Sequence, residues 1–311
     1  MLPGDQTPGA GLIDFHTHLR GARSISHPQA PHLPWLHFAA EMLEPVLAQG
    51  VELFSQYGRH PYLTSLYPRF KQAGFNEILR QFSKYQTEQL LSSMEKAGVS
   101  TSVICSIEPF IDTLDLLYTV ELNPGHFLLF CSVDPLSPVL MERLRLYASL
   151  KGIVGLKIHP PLAGPLPTSD RMFELVEFAA GCGWPVIIHT GTFPFPLLEG
   201  ADRALDLEPL IRTFSTVPIV LAHVGWNQSA DVLELGARYP NVFTDTSWQP
   251  IAIIREAISA FGATRVLFGS DFPLFSQVRA KEILRSALEP EEFRRVGYEN
   301  ARNLLRTSAG L

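Results

Sequence analysis

The chain has 311 residues, a formal net charge of −6 and 46% hydrophobic residues. That length suits one large α/β domain or two small ones, and the acidic balance without a basic run argues against nucleic acid or an anionic membrane as the main partner. No apolar run approaches the roughly 20 residues of a membrane span, and the opening MLPGDQTPGAG lacks the basic-then-apolar pattern of a secretory signal, so a cytoplasmic protein acting on a small molecule is expected.

The first β-rich run is Gly11–His18 (GLIDFHTH). His16 and His18 stand two residues apart, so on a strand they point to one side. Asp14, two residues earlier, either orients His16 or makes a plain strand-end hydrogen bond. Arg20 follows at the same step. Its guanidinium is shaped for two-point binding of a carboxylate, although a surface arginine on the first loop is the simpler alternative.

Residues 21–85 break the rhythm. The stretch is rich in aromatics, Trp35, Phe38, Tyr57 and Phe70 among them, with helical pieces at Phe38–Ala48 and Phe75–Tyr85. An insertion at this point reads as a lid or pocket wall, or else as a packed embellishment or subunit contact.

Seven further runs follow: Thr101–Ile107, Phe127–Val133, Val154–His159, Pro185–Thr190, Pro218–His223, Val242–Ser247 and Val266–Asp271. Most are near-continuously apolar, as parallel strands buried on both faces should be. Amphipathic segments separate them. Ser169–Ala180 opens on a capping Ser or Asp, and Asp231–Arg238 and Ile251–Phe261 carry the same helical spacing. The eightfold alternation predicts a (β/α)₈ TIM barrel, one domain over residues 1–311, with a helical, aromatic-rich insertion after strand one. A doubly wound sheet would show a Gly-rich loop where His-Thr-His stands. Cys105, Cys131 and Cys182 have no ligand-like spacing and read as reduced core thiols.

Five of the ten histidines close predicted strands, a placement that chance would seldom give. His16, His18, His189, His223 and Asp271 all fall at strand C-termini, where barrel active sites are built. Neutral imidazoles with a carboxylate suit zinc and similar divalent ions. Taken singly, His189 could be a hydrogen-bonded core residue and Asp271 a helix cap. Trp226 and Trp248 line the pocket or simply pack. Lys157 and His159 share one face of the fourth strand.

The strings DFHTH, KIHP, VIIHTG, LAHVG and LFGSDFP, with the tail GYENARNLL, resemble the amidohydrolase superfamily. The resemblance is to its branch of predicted metal-dependent hydrolases and non-oxidative decarboxylases. It implies that His16, His18, His189 and Asp271 bind a divalent metal, zinc foremost. It further implies that Asp271 takes a proton from the attacking water and that His223 is a second ligand or the catalytic acid and electrophile. In two-metal members a lysine in the place of Lys157 is carbamylated and bridges the metals. The other reading keeps one metal, with Lys157 hydrogen-bonding inside the site and His159 touching substrate. HTHLRG resembles the start of dihydroorotase, where the matching arginine holds a substrate carboxylate, which implies that role for Arg20. Members of the branch are often dimers, so a homodimer is the assembly implied.

Three functions are compatible with this set. A hydrolase would direct metal-activated water at an amide, ester or lactone of a small, carboxylated substrate. A decarboxylase would act on an aromatic or unsaturated acid. A non-catalytic metal-binding barrel is the third, and it should have lost ligands, whereas none is missing. The hydrolase is preferred because hydrolysis dominates the superfamily.

Overall fold

A computed structural model describes residues 11–19, 87–192, 198 and 200–309. Its eight strands are β1 (Leu12–Thr17), β2 (Val99–Cys105), β3 (Phe127–Cys131), β4 (Ile153–Ile158), β5 (Val186–Ile188), β6 (Ile219–Leu221), β7 (Val242–Asp245) and β8 (Val266–Leu267). All pair parallel, in sequence order. The last strand returns to the first: Phe15 N–H donates to the Phe268 carbonyl and Asp271 N–H to the His16 carbonyl, both at 2.8 Å. The architecture is the expected (β/α)₈ TIM barrel. Arg20, the insertion at 21–85 and its helical pieces lie outside the described residues.

Helices form where the spacing predicted them. Ser169 caps the Asp170–Gly181 helix, its hydroxyl accepting from Met172 N–H. Ile251–Phe261 forms as expected, and the helix expected over Asp231–Arg238 starts at Ser229. Among the described residues no helix is long and apolar enough to cross a membrane. Cys105 and Cys131 are buried free thiols, as expected, while Cys182 is half-buried.

The strands alternate between two apolar layers. Ile13, Phe15, Val103, Cys105, Phe130, Ile187, Val220 and Leu267 fill the barrel interior. Leu12, Ile104, Leu129, Leu156, Ile188, Leu221 and Phe268 face the outer helices. Ala301, Leu304 and Leu305, from the Asn300–Ala309 helix, join the inner group and plug it. Gly155 is in phase with Lys157 and His159 and lacks a side chain because the Phe130 ring occupies its space. A Cβ there would stand 2.1 Å from Phe130 Cε1. Gly155→Ala is expected to cost about 1–3 kcal/mol, as overpacked cores do, and to lower the melting temperature. An unchanged thermal unfolding curve would show slack around that ring.

The strands are shorter than the sequence runs suggested. His18, His159, His189, His223 and Asp271 lie just past strand ends rather than on them. The chain leaves the ladder there to turn side chains into the barrel mouth. The pairing of β1 with β2 also shifts between Asp14 and Thr17. This irregularity lets Phe15 face the core while His16, one residue later, still reaches Lys157 and Asp245.

Candidate metal centre

His16 Nδ1 lies 3.0 Å from Asp245 Oδ2. An ionised carboxylate only accepts, so Nδ1 carries the hydrogen and Nε2 of the neutral ring holds a lone pair. That nitrogen faces Lys157 Nζ at 2.9 Å and Asp271 Oδ1 at 3.8 Å. His18 Nδ1 donates to the Cys105 carbonyl at 2.9 Å, which aims its Nε2 at the same Asp271 oxygen, 3.2 Å away. The other oxygen, Asp271 Oδ2, accepts from Trp248 Nε1–H at 2.7 Å.

His223 Nδ1 lies 2.6 Å from Ser247 Oγ, and that hydroxyl donates to Asp245 Oδ1. The His223 ring stacks on His16 with centroids 4.8 Å apart. His189 meets the His223 ring edge-on at 5.0 Å and stacks on His159 at 4.0 Å. All of these side chains are buried, His16 completely.

Burial governs their charge. It pushes His16, His159 and His189 below the ordinary histidine range, and His223 down to about 4. It also pushes Lys157 down. Burial would raise Asp271 and Asp245. Hydrogen bonds and nearby imidazoles outweigh it, His18 foremost at Asp271 and His16 at Asp245, and hold both carboxylates well below the usual range. Burial thus holds the rings of His16, His159, His189 and His223 towards the neutral form beside two anions.

The backbone is bent to make this possible. Outside glycine, positive φ among the described residues occurs at His223, Val224, Trp226, Trp248 and Asp271, all in the loops after β6, β7 and β8. A β-branched valine at φ 43 is a costly conformation, and such strain gathers at functional sites. It is held in place: Val224 N–H donates to Thr244 Oγ1 at 3.1 Å, and the Gln249 amide donates to the His223 carbonyl.

Two ligands bound at about 2.1 Å around a tetrahedral ion stand about 3.4 Å apart. The 3.2 and 3.8 Å separations from Asp271 Oδ1 to the two ring nitrogens fit that edge length. His16, His18 and Asp271 thus form one candidate metal-holding group, and His16, His223 and Asp245 form another. His189 stands outside the first trio, against His159 and His223. Lys157 and His159, with Ser106, Glu108 and Ser132, line a neighbouring cavity.

A family model described as amidohydrolase matches residues 13–307. The chain belongs to the amidohydrolase family. A comparison with curated proteins finds no match. Among solved structures, this amidohydrolase resembles an uncharacterised TIM-barrel protein from Bordetella bronchiseptica (17% identity, TM-score 0.71), covering 96% of this chain and 99% of that one. It also resembles a dihydroxybenzoic acid decarboxylase from Polaromonas sp. JS666 with bound manganese and the inhibitor 2-nitroresorcinol (16% identity, TM-score 0.61, covering 95% and 97%). A third is a probable 2-pyrone-4,6-dicarboxylic acid hydrolase from Acinetobacter baumannii with citric acid bound (15% identity, TM-score 0.59, covering 95% and 99%). These likenesses bear on the fold.

Sequence reasoning missed Asp245 and Ser247. Their signal was present: they stand two apart at the end of the seventh run, as His16 and His18 do on the first, and so share the inward face. Asp14 does not hold the His16 ring. Its carboxylate accepts from Ser270 N–H at 3.0 Å and Gln277 Nε2–H at 2.8 Å, so it ties β1 to the loop carrying Asp271. Trp248 does more than pack, since it donates to Asp271 and stacks on Trp226 with centroids 5.4 Å apart.

Proposed function

We propose that this amidohydrolase is a metal-dependent hydrolase that opens an amide, ester or lactone of a small carboxylated substrate. The observation that carries the reading is the convergence of two imidazole nitrogens on one oxygen of Asp271 at the barrel mouth. His16, His18 and Asp271 would hold a divalent ion, with His189 as a further ligand and zinc the ion best suited to the donor set. Bound there, the ion would polarise the scissile carbonyl and bring the pKa of a water to about 7.

The chain's own residues do the rest. Asp271 takes the proton of the attacking water while the Trp248 N–H anchors its second oxygen. His223 presents an unprotonated Nε2, accepts a proton and returns it to the leaving group. Lys157 and His159 contact the substrate from the neighbouring cavity. Arg20, outside the described residues, grips the substrate carboxylate in two-point fashion.

Metal analysis of protein purified without chelator is expected to give one divalent ion per chain, lost in His16→Ala and in Asp271→Ala. A metal-free protein, or unchanged content in both variants, would overturn the reading. Activity is sought with lactones, amides and aromatic acids, each with and without a carboxylate. Water uptake by a carboxylated substrate supports hydrolysis. CO₂ release would make the protein a decarboxylase on the same metal set.

A further inference from the structure

Asp245 touches two imidazoles at once, one directly and one through a hydroxyl. Its Oδ2 accepts from His16 Nδ1–H at 3.0 Å. Its Oδ1 accepts from the Ser247 hydroxyl and, at 3.0 Å, from the Ser247 backbone N–H. Room for this carboxylate comes from Gly269, where a Cβ would stand 2.8 Å from Asp245 Oδ1. Asp245 and Ser247 are fully buried, so each hydrogen bond in the chain must be made within the protein.

Hydrogen counting then fixes a direction. Ser247 has one hydroxyl proton, and it goes to the carboxylate, which has none to give. Towards His223 Nδ1, 2.6 Å away, the hydroxyl oxygen can only accept. The neutral His223 ring must therefore carry its hydrogen on Nδ1, leaving Nε2 bare. Free histidine in water prefers the opposite tautomer, so the protein is imposing this one.

We propose that Ser247 is a positioning residue that sets the tautomer of His223 by relaying the charge of Asp245, so that one carboxylate orders both His16 and His223. This rests on the metal-dependent reading only in assigning His223 a use. The tautomer itself follows from Ser247 and Asp245. The relay makes His223 an acceptor at rest, able to give a proton only after taking one, and the same bare Nε2 would serve a ligand, so metal content decides between the two roles. Groups of this kind, which act through another residue, typically change activity by about 10–100-fold when removed.

The test is long-range ¹H–¹⁵N NMR of the imidazoles in metal-free protein labelled at histidine. The native protein is expected to show His223 protonated at Nδ1. Ser247→Ala is expected to move it to the Nε2–H form, and Ser247→Thr, which keeps the hydroxyl, to restore Nδ1–H. His16, held directly by Asp245, should stay Nδ1–H in all three and serves as the internal reference. On any substrate found, Ser247→Ala should lower kcat by about 10–100-fold while KM and metal content hold. A native His223 with hydrogen on Nε2 overturns the proposal without any variant, as does a Ser247→Ala protein that keeps Nδ1–H. If the tautomer responds as expected but no substrate is turned over, the relay stands and the hydrolase reading falls.

Discussion

Protein stripped of metal by chelator is expected to unfold on mild acidification, with a midpoint at about pH 4–6. Four buried imidazoles, those of His16, His159, His189 and His223, are neutral when folded because burial pushes them down. In the unfolded chain each takes a proton below its free value of about 6.5. Their contribution is therefore intact above that pH and is lost as pH falls towards the depressed folded values, about 4 for His223. For His223 that loss is at most about 1.4 kcal/mol per pH unit between the two values.

Asp14 works in the other direction. Burial raises it to about 7, so below that pH the folded state holds a proton that the unfolded chain takes up only near about 3.9. It offsets one histidine. The depressed histidines outnumber it, so the net effect is a loss of stability as pH falls through that window, against a total stability of about 5–15 kcal/mol. Far-ultraviolet circular dichroism against pH reads the transition. Added divalent metal should move it to lower pH, since ligands must be unprotonated to bind. A fold that survives unchanged to pH 4 without metal would show that these rings are charged or hydrated.

His223→Asn is expected to keep the fold and lower turnover by about 10²–10⁴-fold. Asparagine is the choice because His223 sits at φ 61, a left-handed backbone that Asn tolerates and most residues do not. The substitution removes the ring nitrogens while sparing the loop, so circular dichroism should match the native protein. Metal content distinguishes the two roles the sequence left open. A normal content with lost turnover assigns His223 to proton transfer, whereas a fallen content assigns it to the ion. Near-normal turnover would make it a bystander.

The barrel was legible because most strands are near-continuous apolar runs bounded by helical spacing, and all eight runs became strands. The strand ends were not legible. His223 and Asp271 end apolar runs in sequence, yet both adopt left-handed backbone past the ladder, and no residue type announced it. Asp14 left two readings open, and the strand-end one holds: its carboxylate accepts from the His16 backbone N–H at 3.3 Å and does not reach the ring. Asp245 and Ser247, the polar end of the seventh run, went unnoticed since short polar residues at a strand end usually read as turn or cap. Their partners His16 and His223 are distant in sequence, so only the closed barrel shows what they hold.

The seam between the first and last strands has a further consequence. β8 contributes two residues to the ladder, Val266 and Leu267, and the closing bonds run from Phe15, His18 and Asp271. His16 and His18 stand on one side of this join and Asp271 on the other. A cation bridging them would act as a clasp across the barrel's shortest stave. The site exists only once the cylinder is closed, so a chain that has not yet brought its two ends together has no site to fill.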